Sequence, residues 1–177
     1  MGRGRMNAGP GLGRRTPLRI RDVSEADLVE VLAINERSVP AMNSLPLERL
    51  EWFVREAEYF RVAVLDSAVS GFLICLAPEA PYPSPNLRWL NVRYADFLYI
   101  DRVAVAPACQ RRGVATALYR DASANAPRRF KTLACEVNLR PPNPGSVRFH
   151  QRMGFKPVGS KDHGYVKVQY ITRPLPL

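Results

Sequence analysis

Hydrophobic residues near the start of the chain recur at two spacings, which predict one strand followed by two helices. Residues 18–21 alternate between apolar and basic side chains, as is typical of a short strand. Apolar residues three and four positions apart predict helices over 24–39 and 46–58, because that spacing puts them on one helical face. Ser24 is suited to cap the first helix, and Pro40 ends it.

Beyond residue 58 the chain alternates between short apolar runs and helix-spaced segments. The apolar runs predict strands over 59–65, 69–76, 97–106, 132–138, 155–159 and 165–171. Helical spacing predicts helices over 113–126 and 144–153, which end at Pro127 and Gly154. The order β-α-α-β-β-β-α-β-α-β-β predicts an α/β fold with one mixed sheet and helices on both faces.

Residues 77–96 interrupt this pattern. Four prolines between Pro78 and Pro85 predict a long irregular loop, and such loops in compact domains are usually functional or disordered. Tyr82, Trp89 and Tyr94 make the segment too apolar for a solvated linker. We therefore expect it to cover a pocket and to contact a substrate that has some apolar surface.

The composition indicates one domain with a basic N-terminal tail. The chain has 177 residues, of which 46% are hydrophobic, enough for a single domain over 17–177. Residues 1–16 are rich in glycine and arginine and lack hydrophobic periodicity, so we expect a disordered tail. No apolar stretch reaches the length of a membrane span, and we expect no membrane association.

The charge balance favours anionic ligands. Twenty-six basic residues face 16 acidic ones, for a net charge of +10. This excess suits a nucleic acid or a phosphorylated cofactor equally well. Because no motif that reads DNA or RNA is visible, nucleic acid is supported by charge alone and we do not expect it as a partner.

Cysteine and histidine are few and scattered. Cys75, Cys109 and Cys135 form no CxxC pair and no disulfide framework, which favours a reducing, cytoplasmic setting. His150 and His163 have no partner at metal-ligand spacing, and we expect no metal site. The sequence leaves the oligomeric state open, a homodimer included.

The sharpest chemical signal is a strand that runs into a turn and then a helix over 103–115. The turn carries Gln110-x-x-Gly113-x-Ala115, whose small residues let a ligand approach the backbone. The following helix presents free N–H groups and the positive end of its dipole, which suits a pyrophosphate. The alternative is an ordinary glycine-containing turn between a strand and a helix.

Two segments together resemble the GNAT superfamily of N-acetyltransferases. Residues 99–105 followed by Gln110-Arg111-Arg112-Gly113-Val114-Ala115 are similar to motif A of that family. The segment from Asn143 to Phe155, a short helix ending in Gly-Phe, is similar to motif B. The predicted order of elements over 18–171 also matches the family.

The resemblance implies that acetyl-CoA, or coenzyme A, binds in a cleft where the strands 97–106 and 132–138 separate. One strand would pair with the pantetheine arm, the turn and helix start would hold the pyrophosphate, and motif B would line the pantetheine end. The implied cofactor-binding residues are Val103, Ala104, Val105, Gln110, Arg111, Arg112, Gly113, Val114, Ala115, Thr116, Asn143 and Phe149.

Direct attack of an amine on the thioester needs a base for the ammonium proton. Asp101 lies mid-strand among apolar residues, where burial would raise its pKa, and the family often has an acid there. Because adjacent strand residues face opposite sides, we expect that Arg102 does not neutralise it. A structural pair between Asp101 and a more distant arginine is the alternative.

Two further residues complete the candidate catalytic set. Glu136 lies on the second of the separating strands and is either a base or a solvated or salt-bridged strand residue. His150 stands where the family's motif B commonly has a tyrosine that protonates the leaving thiolate. An imidazole can supply the same proton, although a packing role remains the alternative.

We therefore interpret the chain as an acetyl-CoA-dependent N-acetyltransferase acting on a small-molecule or peptide amine. Tyr82, Trp89 and Tyr94 are the candidate contacts to this acceptor. A polycationic acceptor fits the net charge poorly. A non-catalytic acyl-CoA-binding sensor on the same fold is the alternative.

Overall fold

The computed structural model describes residues 17–176, so the predicted tail over 1–16 lies outside the described residues. Seven strands form one mixed sheet in the order β1-β2-β3-β4-β5-β7-β6. The strands are β1 (Arg19–Asp22), β2 (Tyr59–Leu65), β3 (Ala68–Leu76), β4 (Phe97–Val105), β5 (Thr132–Arg140), β6 (Lys156–Asp162) and β7 (Lys167–Pro174). The helices are α1 (Leu28–Glu36), α2 (Leu47–Glu56), α3 (Pro85–Asn91), α4 (Val114–Asn125) and α5 (Pro144–Arg152).

Helices cover both faces of the sheet, which confirms the α/β prediction. Buried side chains of α1, α2 and α3, such as Val31, Phe53 and Leu90, pack on one face. On the other face, α4 buries residues such as Leu118 and Tyr119 against the sheet. Residues alternate between these two layers along each strand because successive strand side chains point to opposite faces.

The two parallel strands at the centre of the sheet separate after a short contact. Pairing between β4 and β5 is limited to Phe97–Tyr99 opposite Thr132–Ala134. Beyond Tyr99, β4 continues along β3 while β5 continues along β7. This separation opens the cleft that the sequence predicted between these strands.

A β-bulge lies in β4 where the strands part. Ile100 is opposite Cys75 and Arg102 is opposite Ile74, so Asp101 is an extra residue without a partner on β3. The bulge reverses the alternation of the strand. As a result, Asp101 and Arg102 both face the layer that contains α1 and α2.

The segment over 77–96 contains helix α3, where the sequence predicted an irregular loop. Ser84 caps the helix by accepting a hydrogen bond from the Leu87 amide at 3.2 Å, and Pro85 occupies the first helical position. Proline is well tolerated there because its missing N–H would have no intrahelical acceptor. The prolines therefore precede and start this helix rather than exclude it.

Trp89 fixes α3 to the sheet. Its indole stacks on the ring of Tyr170 with centroids 3.9 Å apart and lies directly over Gly159 of β6. A Cβ atom at Gly159 would come within 2.6 Å of the indole. The absence of a side chain at Gly159 therefore allows the close approach of α3 to the strands.

Within residues 17–176, none of the helices has the length and apolar character needed to span a membrane.

We expect Gly159→Ala to lower the free energy of unfolding by about 1–3 kcal/mol, because the added methyl overpacks the contact with Trp89. Gly145→Ala is the matched control, since its Cβ would meet only the Asn143 Oδ1 atom at 3.8 Å and alanine favours a helix. Urea unfolding of both variants measures the difference. Equal stability of the two variants would contradict close packing at Gly159.

Candidate active site

A cleft of about 1040 Å³ lies where β4 and β5 separate. The segment between α1 and α2 forms one rim, and the turn between β6 and β7, with His163 and Tyr165, forms another. Its volume is at the upper end of the range for small-molecule sites. Both the ionisable candidates on the strands, Asp101 and Glu136, line its wall.

One end of the cleft contains several of the predicted cofactor-binding residues. The cleft-lining members of that set are Val103, Ala104, Val105, Gln110 and Asn143. Because β5 has diverged at this level, the edge of β4 beyond Tyr99 is free of β5. An extended ligand arm could pair with this edge as an added strand.

The start of α4 lies just beyond that end of the cleft. Arg111 and Gly113 have φ values of 60° and 83°, and this left-handed backbone turns the chain into the helix. The amides of Val114, Ala115 and Thr116 occupy the first helical turn, where no intrahelical acceptor is available. The turn, the free amides and the neighbouring arginines fit a pyrophosphate group.

Two members of the predicted cofactor set have other contacts. Arg112 lies 3.6 Å from Asp66 on the surface, and both side chains are well exposed. The Phe149 ring packs edge-on against Tyr119 with centroids 5.2 Å apart and is not among the residues that line the cleft. At the start of α5, the cleft is therefore lined by Asn143 and Ser146 and not by Phe149.

Asp101 forms an ion pair with its neighbour, contrary to the sequence-based expectation. Arg102 Nε donates to Asp101 Oδ2 at 2.8 Å, and each side chain is only 6% exposed. The expectation was wrong because the bulge places both residues on one face. Arg102 Nη1 also donates to Asn35 Oδ1 at 2.8 Å, which connects the pair to α1. Asp101 thus neutralises a buried guanidinium, which weakens its case as the base.

Glu136 has a different environment, made of neutral hydrogen-bond donors. Asn86 Nδ2 donates to Oε1 at 2.8 Å, and the Tyr99 hydroxyl lies 3.1 and 3.0 Å from Oε1 and Oε2. Burial, together with the nearby charge of Asp101, raises the pKa of Glu136 to about 8, although these hydrogen bonds act in the opposite direction. A carboxyl group with this pKa can exchange a proton near neutral pH.

His150 is buried and both of its ring nitrogens have partners. Nδ1 lies 2.9 Å from the Ser146 carbonyl and Nε2 lies 2.7 Å from the Tyr119 hydroxyl. Because a carbonyl only accepts, the neutral ring carries its proton on Nδ1 and accepts from Tyr119 at Nε2. Burial lowers the pKa of His150, which favours this neutral form. His150 also lines the cleft, so its predicted role as the acid stays a prediction, while its two hydrogen-bond contacts are also those of a packing residue.

Of the three aromatic residues predicted to contact the acceptor, only Tyr82 lines the cleft. Its ring stacks on Trp52, and burial raises the pKa of its hydroxyl above the ordinary value. Trp89 lies against Tyr170, and Tyr94 packs edge-on against Phe97. These two contacts fix α3 and the following turn to the sheet, so both residues have structural positions.

Sequence patterns did not identify several residues of the site. The missed residues are Asn35, Asn86, Tyr99, Arg102 and Tyr119. Asn86 was missed because the helix that contains it was predicted as a loop. Tyr99 and Tyr119 were missed because their spacing in the sequence is that of ordinary core residues. In the part of the chain that the structure describes, no three His, Cys, Asp or Glu side chains are grouped as a metal site would require.

Comparison with known proteins identifies the class to which this fold and cleft belong. Residues 27–155 match the model of the Acetyltransferase (GNAT) family, which covers well over half of the chain. The chain therefore belongs to the GNAT acetyltransferase family, whose members are transferases that use acetyl-CoA.

Solved structures share this fold at low sequence identity. Ard1 from Thermoplasma volcanium superposes with a TM-score of 0.73 at 19% identity, covering 90% of this chain and 99% of that one. The ribosomal-protein-S18-alanine N-acetyltransferase from Escherichia coli gives 0.68 at 16% identity, covering 91% and 96%. The protein yncA from Salmonella typhimurium, solved with its cofactor acetyl-CoA, gives 0.68 at 18% identity, covering 90% and 94%.

We expect Asp101→Asn to destabilise the protein by about 3–5 kcal/mol, because it leaves the Arg102 guanidinium buried without a counter-charge. Asp66→Asn is the matched control, since it removes an exposed partner of Arg112 and asparagine tolerates the left-handed backbone there. Chemical denaturation compares the two variants. A loss no larger than that of the control would show that the buried pair contributes little to stability.

We expect His150→Phe to lower stability by about 1–3 kcal/mol, because the buried Tyr119 hydroxyl loses its acceptor. Adding Tyr119→Phe should recover part of this loss, which a double-mutant cycle measures. If His150 only packs, acetyl transfer should change little in either variant. A large loss of kcat with no coupling to Tyr119 would instead support His150 as the acid.

Proposed function

We propose that this protein transfers an acetyl group from acetyl-CoA to a primary amine by direct attack, with Glu136 as the general base. The observation that carries the proposal is a cleft-lining carboxyl group whose partners are neutral and whose pKa is raised to about 8. Asp101, the other candidate base, already neutralises Arg102.

The cofactor end of the cleft supports acetyl-CoA as the acetyl donor. The amides of Val114, Ala115 and Thr116 would hold the pyrophosphate, and the free edge of β4 at Val103–Val105 would pair with the pantetheine arm. When bound, acetyl-CoA supplies an activated thioester carbonyl. The point where β4 and β5 part, whose wall contains Glu136, would hold that carbonyl.

Glu136 would accept the proton that the attacking nitrogen releases. The new C–N bond forms as the C–S bond breaks, so the nitrogen must lose one proton and the thiolate must gain one. Asn86 donates to Oε1, while Oε1 and Oε2 share the single proton of the Tyr99 hydroxyl, which is the only donor to Oε2 among the described residues. Oε2 therefore keeps a lone pair that can take the proton once the carboxyl group is ionised.

The acceptor would enter from the side of the cleft formed by the segment between α1 and α2. Arg37 and Arg49 line this side, and the Arg49 guanidinium lies over the rings of Trp52 and Tyr82 at 5.3 and 5.8 Å. These charges disfavour a polycation and suit a neutral or anionic compound with some apolar surface. Both a small amine and the N-terminal amine of a peptide fit this description.

Acetyl-CoA turnover with a panel of amines tests the proposal. The panel would contain an alanyl peptide amide, a neutral amino acid, phenethylamine and spermidine, with thiol release as the readout. We expect turnover with at least one of the first three and least with spermidine. Binding of acetyl-CoA without turnover of any amine would instead favour a non-catalytic sensor on the same fold.

We expect Glu136→Gln to lower kcat by about 10²–10⁴-fold while KM for acetyl-CoA changes little, because the variant keeps the shape but not the base. Wild-type kcat/KM should rise as pH increases through about 8, and the variant should keep only the rise that comes from the amine's own titration. Glu51→Gln, at an exposed position of α2, is the matched control. Near-wild-type kcat in Glu136→Gln would exclude Glu136 as the base.

The raised pKa of Glu136 should also make the stability of the protein depend on pH, independently of catalysis. The pKa of this group is higher in the folded state than its ordinary value of 4.5, so the folded protein binds the extra proton between the two values. The contribution of Glu136 to the free energy of unfolding should therefore fall as pH rises from about 4.5 to about 8. Glu136→Gln should show a smaller fall over this range.

A further inference from the structure

The helix that the sequence pattern missed contributes a side chain to the acetyl-transfer site. Asn86, in the first turn of α3, donates from Nδ2 to Glu136 Oε1 at 2.8 Å. On its other side, Asn86 Oδ1 accepts from the Tyr170 hydroxyl at 2.9 Å. Asn86 thus connects two strand residues that are themselves opposite each other, Glu136 of β5 and Tyr170 of β7.

The two hydrogen bonds that link Tyr170, Asn86 and Glu136 run in one direction. The Asn86 amide presents its NH₂ group to Glu136 and its oxygen to Tyr170, an orientation that suits an ionised carboxylate because a carboxylate only accepts. Tyr170 then has to donate. Burial raises the pKa of the Tyr170 hydroxyl to about 12, so it keeps the proton that it donates. The arrangement is therefore built to satisfy the ionised form of Glu136, which is the form that acts as a base.

The position of Asn86 is fixed by contacts on three sides. Ser84 caps the helix start, Leu87 and Leu90 are buried beneath it, and Trp89 is stacked between Tyr170 and the guanidinium of Arg93. The Arg93 Cζ atom lies 3.8 Å from the Trp89 ring centroid. Such packing holds the amide within hydrogen-bond distance of the carboxyl group rather than leaving it free to rotate into solvent.

We propose that Asn86 is a positioning residue for acetyl transfer, which holds the Glu136 carboxyl group in one orientation and supplies the hydrogen bond that its ionised form requires. Tyr170 orients the Asn86 amide, and α3 carries it to the site. This inference rests on the proposed role of Glu136 as the base. Asn86 lines the cleft beside Glu136 and acts through the carboxyl group to which it donates.

The other ionisable groups around Glu136 stay the same when Asn86 is changed. Tyr99 and Asp101 face it from β4, Tyr170 faces it from β7, and Cys135 precedes it on β5. Burial raises the pKa of Tyr99 and of Cys135, so both remain protonated near neutral pH. Asp101 is charged but paired with Arg102. A difference between variants therefore reports on the hydrogen bond from Asn86.

The test compares Asn86→Ala and Tyr170→Phe with the wild type over the pH range. Loss of a hydrogen bond to a charged group should raise the inflection in kcat/KM by about one to two pH units. At pH 7, kcat should then fall by about 10–100-fold, with KM for acetyl-CoA unchanged. Tyr170→Phe keeps the ring under Trp89 and should shift the inflection in the same direction by less.

The kinetic measurement uses whichever of the alanyl peptide amide and phenethylamine turns over faster. The amine's own titration is common to all variants and cancels in the comparison. Asn91→Ala is the matched control, because this residue ends the same helix and its amide donates to the Pro78 carbonyl instead. We expect its pH profile to match that of the wild type. An unshifted profile in Asn86→Ala, or an equal shift in Asn91→Ala, would overturn the proposal.

Titration of the carboxyl carbon of Glu136 by ¹³C NMR separates this proposal from the proposed function. Glu136→Gln assigns the resonance, and no acceptor is needed. An upward shift of the titration in Asn86→Ala would support the positioning role even if none of the amines is acetylated. An unchanged titration would overturn it whether or not the enzyme is active.

Discussion

The early end of the pairing between β4 and β5 is the constraint on which the rest of the site depends. These strands are hydrogen-bonded over only three residue pairs before they diverge. A bulge at Asp101 accompanies the divergence and reverses the side-chain alternation of β4. The same change frees an edge of β4 for a ligand, opens the cleft and brings a carboxylate and a guanidinium onto one face. The cleft and the buried ion pair of Asp101 and Arg102 therefore both result from the divergence of β4 and β5.

The two carboxyl groups of the cleft differ because their neighbours differ. Asp101 is paired with Arg102, whose guanidinium also reaches Asn35, so it contributes to connecting β4 with α1. Glu136 has only neutral donors, and the nearby charge of Asp101 adds to the effect of burial. One group is thereby committed to a charge partner, while the other remains available for proton transfer near neutral pH. Environment rather than residue type separates their roles.

Helix α3 connects the packing of the sheet with the chemistry of the cleft. Trp89 can lie flat on the sheet only because Gly159 has no side chain, and the same stacking fixes Tyr170. Tyr170 and Asn86 then form a hydrogen-bonded chain that ends at Glu136. The close packing at Gly159 of β6 is thus linked to the candidate base Glu136 through the rings of Trp89 and Tyr170 and the amide of Asn86. In this way a segment far from the cofactor end contributes to the site.

The sequence by itself determined the class of the fold, the seven strands, the position of the cleft between two of them and membership of the GNAT family. The fold class and the strands follow from local periodicity, whereas the cleft and the family follow from the resemblance of two continuous motifs, the turn at Gly113 and the segment from Asn143 to Phe155, to the GNAT superfamily. Helix α3 was not predicted, because two buried leucines over seven residues give little periodicity and the preceding prolines indicated a loop. The tertiary structure alone decided which carboxyl group is paired, since one bulged residue changes which side chains face each other. It also decided the partners of His150 and Glu136, because Tyr119, Tyr99 and Asn86 are distant in sequence and meet these groups only when the sheet and helices pack.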